Sequence, residues 1–116
     1  MNSISEESSP AGFYTGLASL LMDLECAMRN ARFWSDVQPD EAALQSVAPF
    51  CVDTLDFAQW LQYVFLPRVY NLVEKEQQLP GKCDISPMAE QAFQGMAQTA
   101  EVLRVIRAID EYCSQQ

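Results

Sequence analysis

Histidine is absent from this 116-residue chain. The side chain most often used as a general base and as a metal ligand is therefore missing. Basic residues are scarce as well, with 7 Lys and Arg against 16 Asp and Glu and a formal net charge of −9. Such a field repels phosphate backbones and anionic lipid, so neither direct nucleic-acid binding nor membrane association is expected. Only four glycines are present. None opens a phosphate-cradling loop, and neither a G-x-S-x-G elbow nor an H-E-x-x-H pair occurs. No stretch approaches the roughly 18 apolar residues of a membrane span. The start carries Glu6 and Glu7 without the basic region of an export signal. A cytoplasmic location with reduced thiols is the expectation. The four cysteines, Cys26, Cys51, Cys83 and Cys113, form no C-x-x-C pair. With no histidine to join them, no metal, no cofactor and no catalytic residue is expected, and the chain is read as a non-enzyme.

What is there is apolar and periodic. Apolar residues make up 49% of the chain, enough for one self-sufficient domain. Residues 1–9 read as a flexible tail and residues 10–116 as a single helical domain. Ser9-Pro10 opens the first helix, Ser as cap and Pro at the first helical position. Phe13, Leu17, Leu20, Leu21, Leu24, Met28 and Ala31 then recur at threes and fours to about Arg32. Pro39-Asp40-Glu41 starts a short second helix that ends before Pro49. The stretch from Val47 to Asp53 is expected to run extended across the bundle.

Asp53 or Thr54 is the expected cap of a long central helix, Leu55 to about Gln77. Phe57, Trp60, Leu61, Val64, Phe65, Val69 and Leu72 make that helix apolar nearly all round, which places it mid-bundle. Pro67 lies inside it and predicts a kink near Leu66. Pro80-Gly81 ends the element, and Ser86-Pro87 repeats the Ser-Pro opening. Val102, Leu103, Ile106, Ile109 and Cys113 form the last stripe, with Glu101–Arg104 and Arg107–Glu111 as surface pairs. The fold class is therefore all-α: a four-helix antiparallel bundle with an extra short helix and a Pro-kinked central helix. Val105 and Tyr112 lie off the last stripe, which leaves monomer and weak homodimer both open.

The residues that could bind something concentrate between Pro49 and Arg68. Arg68 is the only basic residue between Arg32 and Lys75. In so apolar a setting it calls for a carboxylate, from Asp53, Asp56 or Glu90, or for an anionic ligand or partner. Trp60 either packs in the core or lines a groove. Cys51 lacks a histidine to activate it and reads as a buried structural thiol. Asp53, Trp60, Arg68 and Glu90 are the candidate binding residues.

PFCVDTLDFAQWLQYVFLPR (Pro49 to Arg68) and LPGKCDISPMAE (Leu79 to Glu90) resemble the YqcC-like family of small bacterial proteins. LLMDLECAMRNARFW (Leu20 to Trp34) extends the likeness. The resemblance implies a helical bundle and supplies no established activity, so no catalytic residue is carried over. It marks Cys51, Asp53, Trp60, Pro67, Arg68, Cys83, Pro87, Met88 and Glu90. The family also tends to be encoded beside a tRNA pseudouridine synthase. Together with the acidic charge, this points to an accessory protein with a basic protein partner, an RNA-modifying enzyme. The alternative is a small-molecule module that holds an anionic ligand between Arg68 and aromatics Phe57, Trp60, Tyr63 and Tyr70.

Overall fold

The computed structural model describes residues 10–79 and 83–114, and within them every regular element is helical. The expected tail, the Ser9 cap and the Pro80-Gly81 stop lie outside the described residues. Helix α1 spans Pro10–Asn30 and α2 spans Glu41–Leu44. A 3₁₀ turn follows at Pro49–Cys51. The central rod then runs through α3 (Phe57–Trp60), a π-helical turn (Leu61–Phe65) and α4 (Leu66–Glu74). Helices α5 (Ser86–Ala92) and α6 (Ala100–Cys113) complete the chain.

The apolar stripe of α1 is the floor of the core. Leu17, Leu21, Leu24 and Met28 are 0% exposed, each worth about 1.5–3 kcal/mol of burial. Both α4 and α6 pack on α1, and α5 packs on α6. Tyr112 of α6 stacks on Phe13 of α1 at 5.0 Å between ring centres and donates its hydroxyl to the Phe13 carbonyl at 2.8 Å. Gly16 makes that crossing fit, because a Cβ there would lie 2.2 Å from the Tyr112 hydroxyl oxygen. Of the two residues that left a homodimer open, Val105 is buried and Tyr112 half-buried.

Helix ends depart from the sequence expectation in instructive ways. Arg32 has φ 64° and Glu76 has φ 52°. Each sits where a Schellman ending usually has glycine. The bonds are present: Phe33 N donates to Met28 O at 2.8 Å, and Gln77 N to Leu72 O at 2.9 Å. Tyr14 adds its hydroxyl to the Gln77 carbonyl at 2.7 Å, tying α1 to the end of α4. The cap of α3 is Asp56, not Asp53 or Thr54. Its carboxylate accepts from Gln59 N at 2.9 Å, and the Gln59 side chain accepts from Asp56 N at 3.0 Å. The cap falls later than expected because the turn before it is still closed at Leu55, whose N–H bonds Cys51 O at 2.8 Å.

Nor is the central rod apolar all round, for Pro67, Arg68 and Asn71 are exposed. The expected disruption near Pro67 takes the form of the π turn directly ahead of it. Leu66 N bonds Leu61 O, five residues back, and the widened turn relieves the crowding that a proline imposes on a regular helix. Ser86 does not cap α5. Asp110 of α6 does so from across the interface, its carboxylate accepting from Ile85 N at 3.0 Å, Ser86 N at 2.7 Å and Ser86 Oγ at 2.6 Å. Arg107 likewise reaches Glu90 of α5 at 3.0 Å rather than Glu111. Glu101–Arg104 forms as expected. Gly95 (φ 80°) and Gln98 (φ 65°) turn the chain between α5 and α6.

Candidate functional site

The 3₁₀ turn is a conformationally costly piece of backbone. Phe50 (φ 56°) and Cys51 (φ 51°) are consecutive residues with side chains in the left-handed region, an arrangement costing on the order of 1–2 kcal/mol per residue. Packing holds them there. The Phe50 ring meets Trp60 edge-on at 4.9 Å and Phe57 at 6.0 Å. Trp60 also contacts Phe65 at 5.5 Å, and Phe57 leads on to Phe93 at 5.5 Å. Trp60 is thus a core residue with 9% exposure. Cys51 is buried among apolar side chains. The expected extended stretch is instead this folded turn, because Pro49 starts it and Phe50 anchors it.

Phe50 forms one wall of an open groove of about 320 Å³. Trp60, Phe65, Val69, Leu72 and Leu79 give it an apolar lining, and Arg68, Asp84 and Cys83 bring polar groups to it. The groove brings together Trp60 and Arg68 of the four candidate binding residues. Arg68 is exposed and makes no ion pair among the described residues. The carboxylates expected to bind it are occupied elsewhere. Asp56 caps α3, Asp53 accepts from Ser46 Oγ, and Glu90 pairs with Arg107. At its exposed position the Arg68 guanidinium is solvated.

A second feature lies on the segment that precedes the rod. From Phe33 to Pro67 there is no Lys or Arg, and Asp36, Asp40, Glu41, Asp53 and Asp56 are all exposed. Val37, Val47 and Val52 are exposed among them, Val47 completely. Side-chain hydrogen bonds hold this shoulder in shape. Thr54 Oγ1 donates to Ala43 O at 2.7 Å, Ser46 donates to Asp53, and Gln62 clamps Ser35. The clamp is two-sided: Ser35 N donates to Gln62 Oε1 at 2.8 Å, and Gln62 Nε2 donates to Ser35 O at 2.7 Å. Tyr63 adds a bond to the same carbonyl at 3.0 Å. The π turn lets these consecutive residues reach one carbonyl.

Among the described residues no group of His, Cys, Asp or Glu could hold a metal ion. No helix among them is long and apolar enough to cross a membrane. All four thiols are free. Cys83 and Cys113 nevertheless sit close enough to perturb each other. Hydrogen bonding from Cys113 draws the Cys83 thiol below its ordinary value, against burial and the nearby Asp110 charge. Cys113 is pushed up, first by that bond, then by burial and the charges of Cys83 and Asp110. The pair was invisible in sequence, because thirty residues separate the two cysteines and no spacing rule links them.

Comparison with known proteins places the fold. The family model DUF446, described as tRNA pseudouridine synthase C, matches residues 16–112. An uncharacterized protein of Haemophilus influenzae is 34% identical over 91 residues, covering 78% of this chain and 86% of that one. YqcC of Escherichia coli K12 is 34% identical over 73 residues, covering 63% and 67%. The chain belongs to the YqcC-like family. The solution NMR structure of YqcC from E. coli matches it with a TM-score of 0.78, at 28% identity over 88% of each chain. A further match ties the YqcC-like sequence to a named enzyme. Over 60 residues the chain is 47% identical to part of tRNA pseudouridine synthase C of Pectobacterium carotovorum subsp. carotovorum, covering 52% of this chain and 16% of that protein.

Proposed function

We propose that this YqcC-like chain is a small, non-catalytic accessory protein of the cytoplasm that binds a tRNA pseudouridine synthase. The observation that carries the reading is the YqcC-like segment within a much longer chain named tRNA pseudouridine synthase C. Two modules on one polypeptide meet at millimolar effective concentration, which favours pairs that work in contact. The acidic shoulder supports it. An enzyme that grips tRNA presents basic surface, and the exposed carboxylates with Val37, Val47 and Val52 between them offer a complementary face.

The test is a titration of the purified chain against the synthase of the same organism, followed by calorimetry from about 50 to about 500 mM salt. A complex that weakens with salt is expected. It should weaken further when Asp36→Asn, Asp40→Asn, Glu41→Gln and Asp53→Asn are combined. No complex at low salt, or one indifferent to the neutralised shoulder, overturns the proposal.

The alternative function rests on one observation, the Arg68 guanidinium standing beside an apolar groove without an ion pair among the described residues. That arrangement suits an amphiphile with an acidic head. Binding of a fluorescent fatty acid, lost in Arg68→Ala with the helical content intact, is its signature. Equal binding by wild type and Arg68→Ala refutes it.

A further inference from the structure

The segment leading into α5 is anchored to α6 by one carboxylate. Asp110 holds Ile85 N at 3.0 Å and Ser86 N at 2.7 Å. Cys83 lies two residues before the first of these anchors, and Cys113 lies one helical turn beyond Asp110 on the same face. The anchor therefore brings the two thiols to one junction, where each perturbs the other's protonation. Their exposures differ. Cys83 is half-buried and lines the open groove, whereas Cys113 is 3% exposed behind it. Cys26 is exposed on α1 and Cys51 is shut in the core. One thiol that solvent can reach thus stands against one it cannot.

We propose that Cys83 and Cys113 form a hydroperoxide-sensitive dithiol, which closes into an intramolecular disulfide across the α5–α6 junction. In the first step the Cys83 thiolate attacks one oxygen of hydrogen peroxide. The O–O bond breaks, Cys83 becomes a sulfenic acid, and hydroxide leaves as water after taking a proton. In the second step the Cys113 sulfur attacks the Cys83 sulfur. The S–O bond breaks, and the Cys113 proton departs with the hydroxyl as a second water. Two thiols lose two electrons and the peroxide gains them. The hydrogen bond from Cys113 favours the thiolate at Cys83, the member that peroxide can reach. The disulfide would fix the groove wall at Cys83, Asp84 and Ile85 to the last helix.

The test uses the full chain carrying Cys26→Ala, which removes the exposed thiol, treated with a few equivalents of hydrogen peroxide. Expected are the loss of two titratable thiols, a mass lower by two hydrogens, and a Cys83–Cys113 cross-linked peptide after digestion. Dithiothreitol should reverse all three. The melting temperature should rise on the order of 10 °C, because the link closes a long loop of the unfolded chain. In Cys113→Ser, whose fold is checked by circular dichroism, the sulfenic acid should persist at Cys83 and be trapped by dimedone. Retention of both thiols, stepwise oxygen addition at Cys83 with Cys113 intact, or cross-links between chains would each overturn the proposal.

Discussion

Replacing Gly16 by alanine should destabilise the protein, against the usual direction for a glycine inside a helix. At an open helical position the exchange gains about 1 kcal/mol. Here the new Cβ would stand 2.2 Å from the Tyr112 hydroxyl oxygen and 2.8 Å from the ring carbon that bears it. The ring must leave its place on α1. Its bond to the Phe13 carbonyl is worth about 1 kcal/mol, and its stacking on Phe13 a further 0.5–1.5 kcal/mol or so. Strain where the ring cannot clear adds about 1–3 kcal/mol. Against the propensity gain, a net loss of roughly 1.5–4.5 kcal/mol remains. Urea unfolding followed by circular dichroism reads it directly. The decisive control is the same substitution in a Tyr112→Ala background. There the obstacle is gone and Gly16→Ala should stabilise by roughly 0.5–1 kcal/mol. A stabilising Gly16→Ala in the otherwise unaltered protein, or the same sign in both backgrounds, refutes the account of the α1–α6 crossing.

Further expectations follow from the helix ends and the buried hydroxyls. Asp110→Asn should cost about 2–3 kcal/mol, since charge-assisted bonds to two backbone N–H groups are weakened together; hydrogen exchange should quicken at Ile85 and Ser86 before the rest of α6. Glu76→Gly should stabilise by about 0.5–1 kcal/mol, because glycine takes the φ of 52° without a Cβ penalty; no change in the denaturation midpoint would show that the left-handed residue is unstrained. Stability should fall as pH rises past about 10. Burial, then the charge of Glu25, raises Tyr70, and burial, then the charge of Cys113, raises Tyr112. The folded chain therefore keeps protons that the unfolded chain releases, and the stability present below the ordinary tyrosine value is lost as pH climbs through the raised ones. Tyr112→Phe should flatten that alkaline decline; an unchanged slope would remove Tyr112 from the explanation.

Periodicity made α1 and α6 legible, because their buried stripes are long and their polar faces clean. Leu17, Leu21, Leu24 and Met28, like Val102, Ile106 and Ile109, were placed correctly by spacing alone. Ends were harder. Arg32 and Glu76 occupy glycine's usual position, so a search for glycine misses both. Asp110 caps a helix it is not part of, and only tertiary structure reveals a cap of that kind. Pro67 correctly announced a disturbance, but the form it took depended on backbone geometry that composition does not encode. Of the aromatics expected to frame a cleft with Arg68, Trp60 lines the groove, whereas Phe57, Tyr63 and Tyr70 do not. Phe50, Cys83 and Asp84 complete it from distant stretches of chain, and a chain read in order cannot bring them together.

The π turn at Leu61–Phe65 has a bearing on how related chains should be aligned. Such a turn amounts to one residue inserted into an α-helix. Removing that residue would leave the faces of α3 and α4 in their present directions. The proline that follows depends on the wider turn. Insertion and proline should therefore behave as one inherited unit. Relatives one residue shorter across this stretch should lack a proline at the position of Pro67, and a gap opened anywhere else in the rod would shift the buried face out of phase.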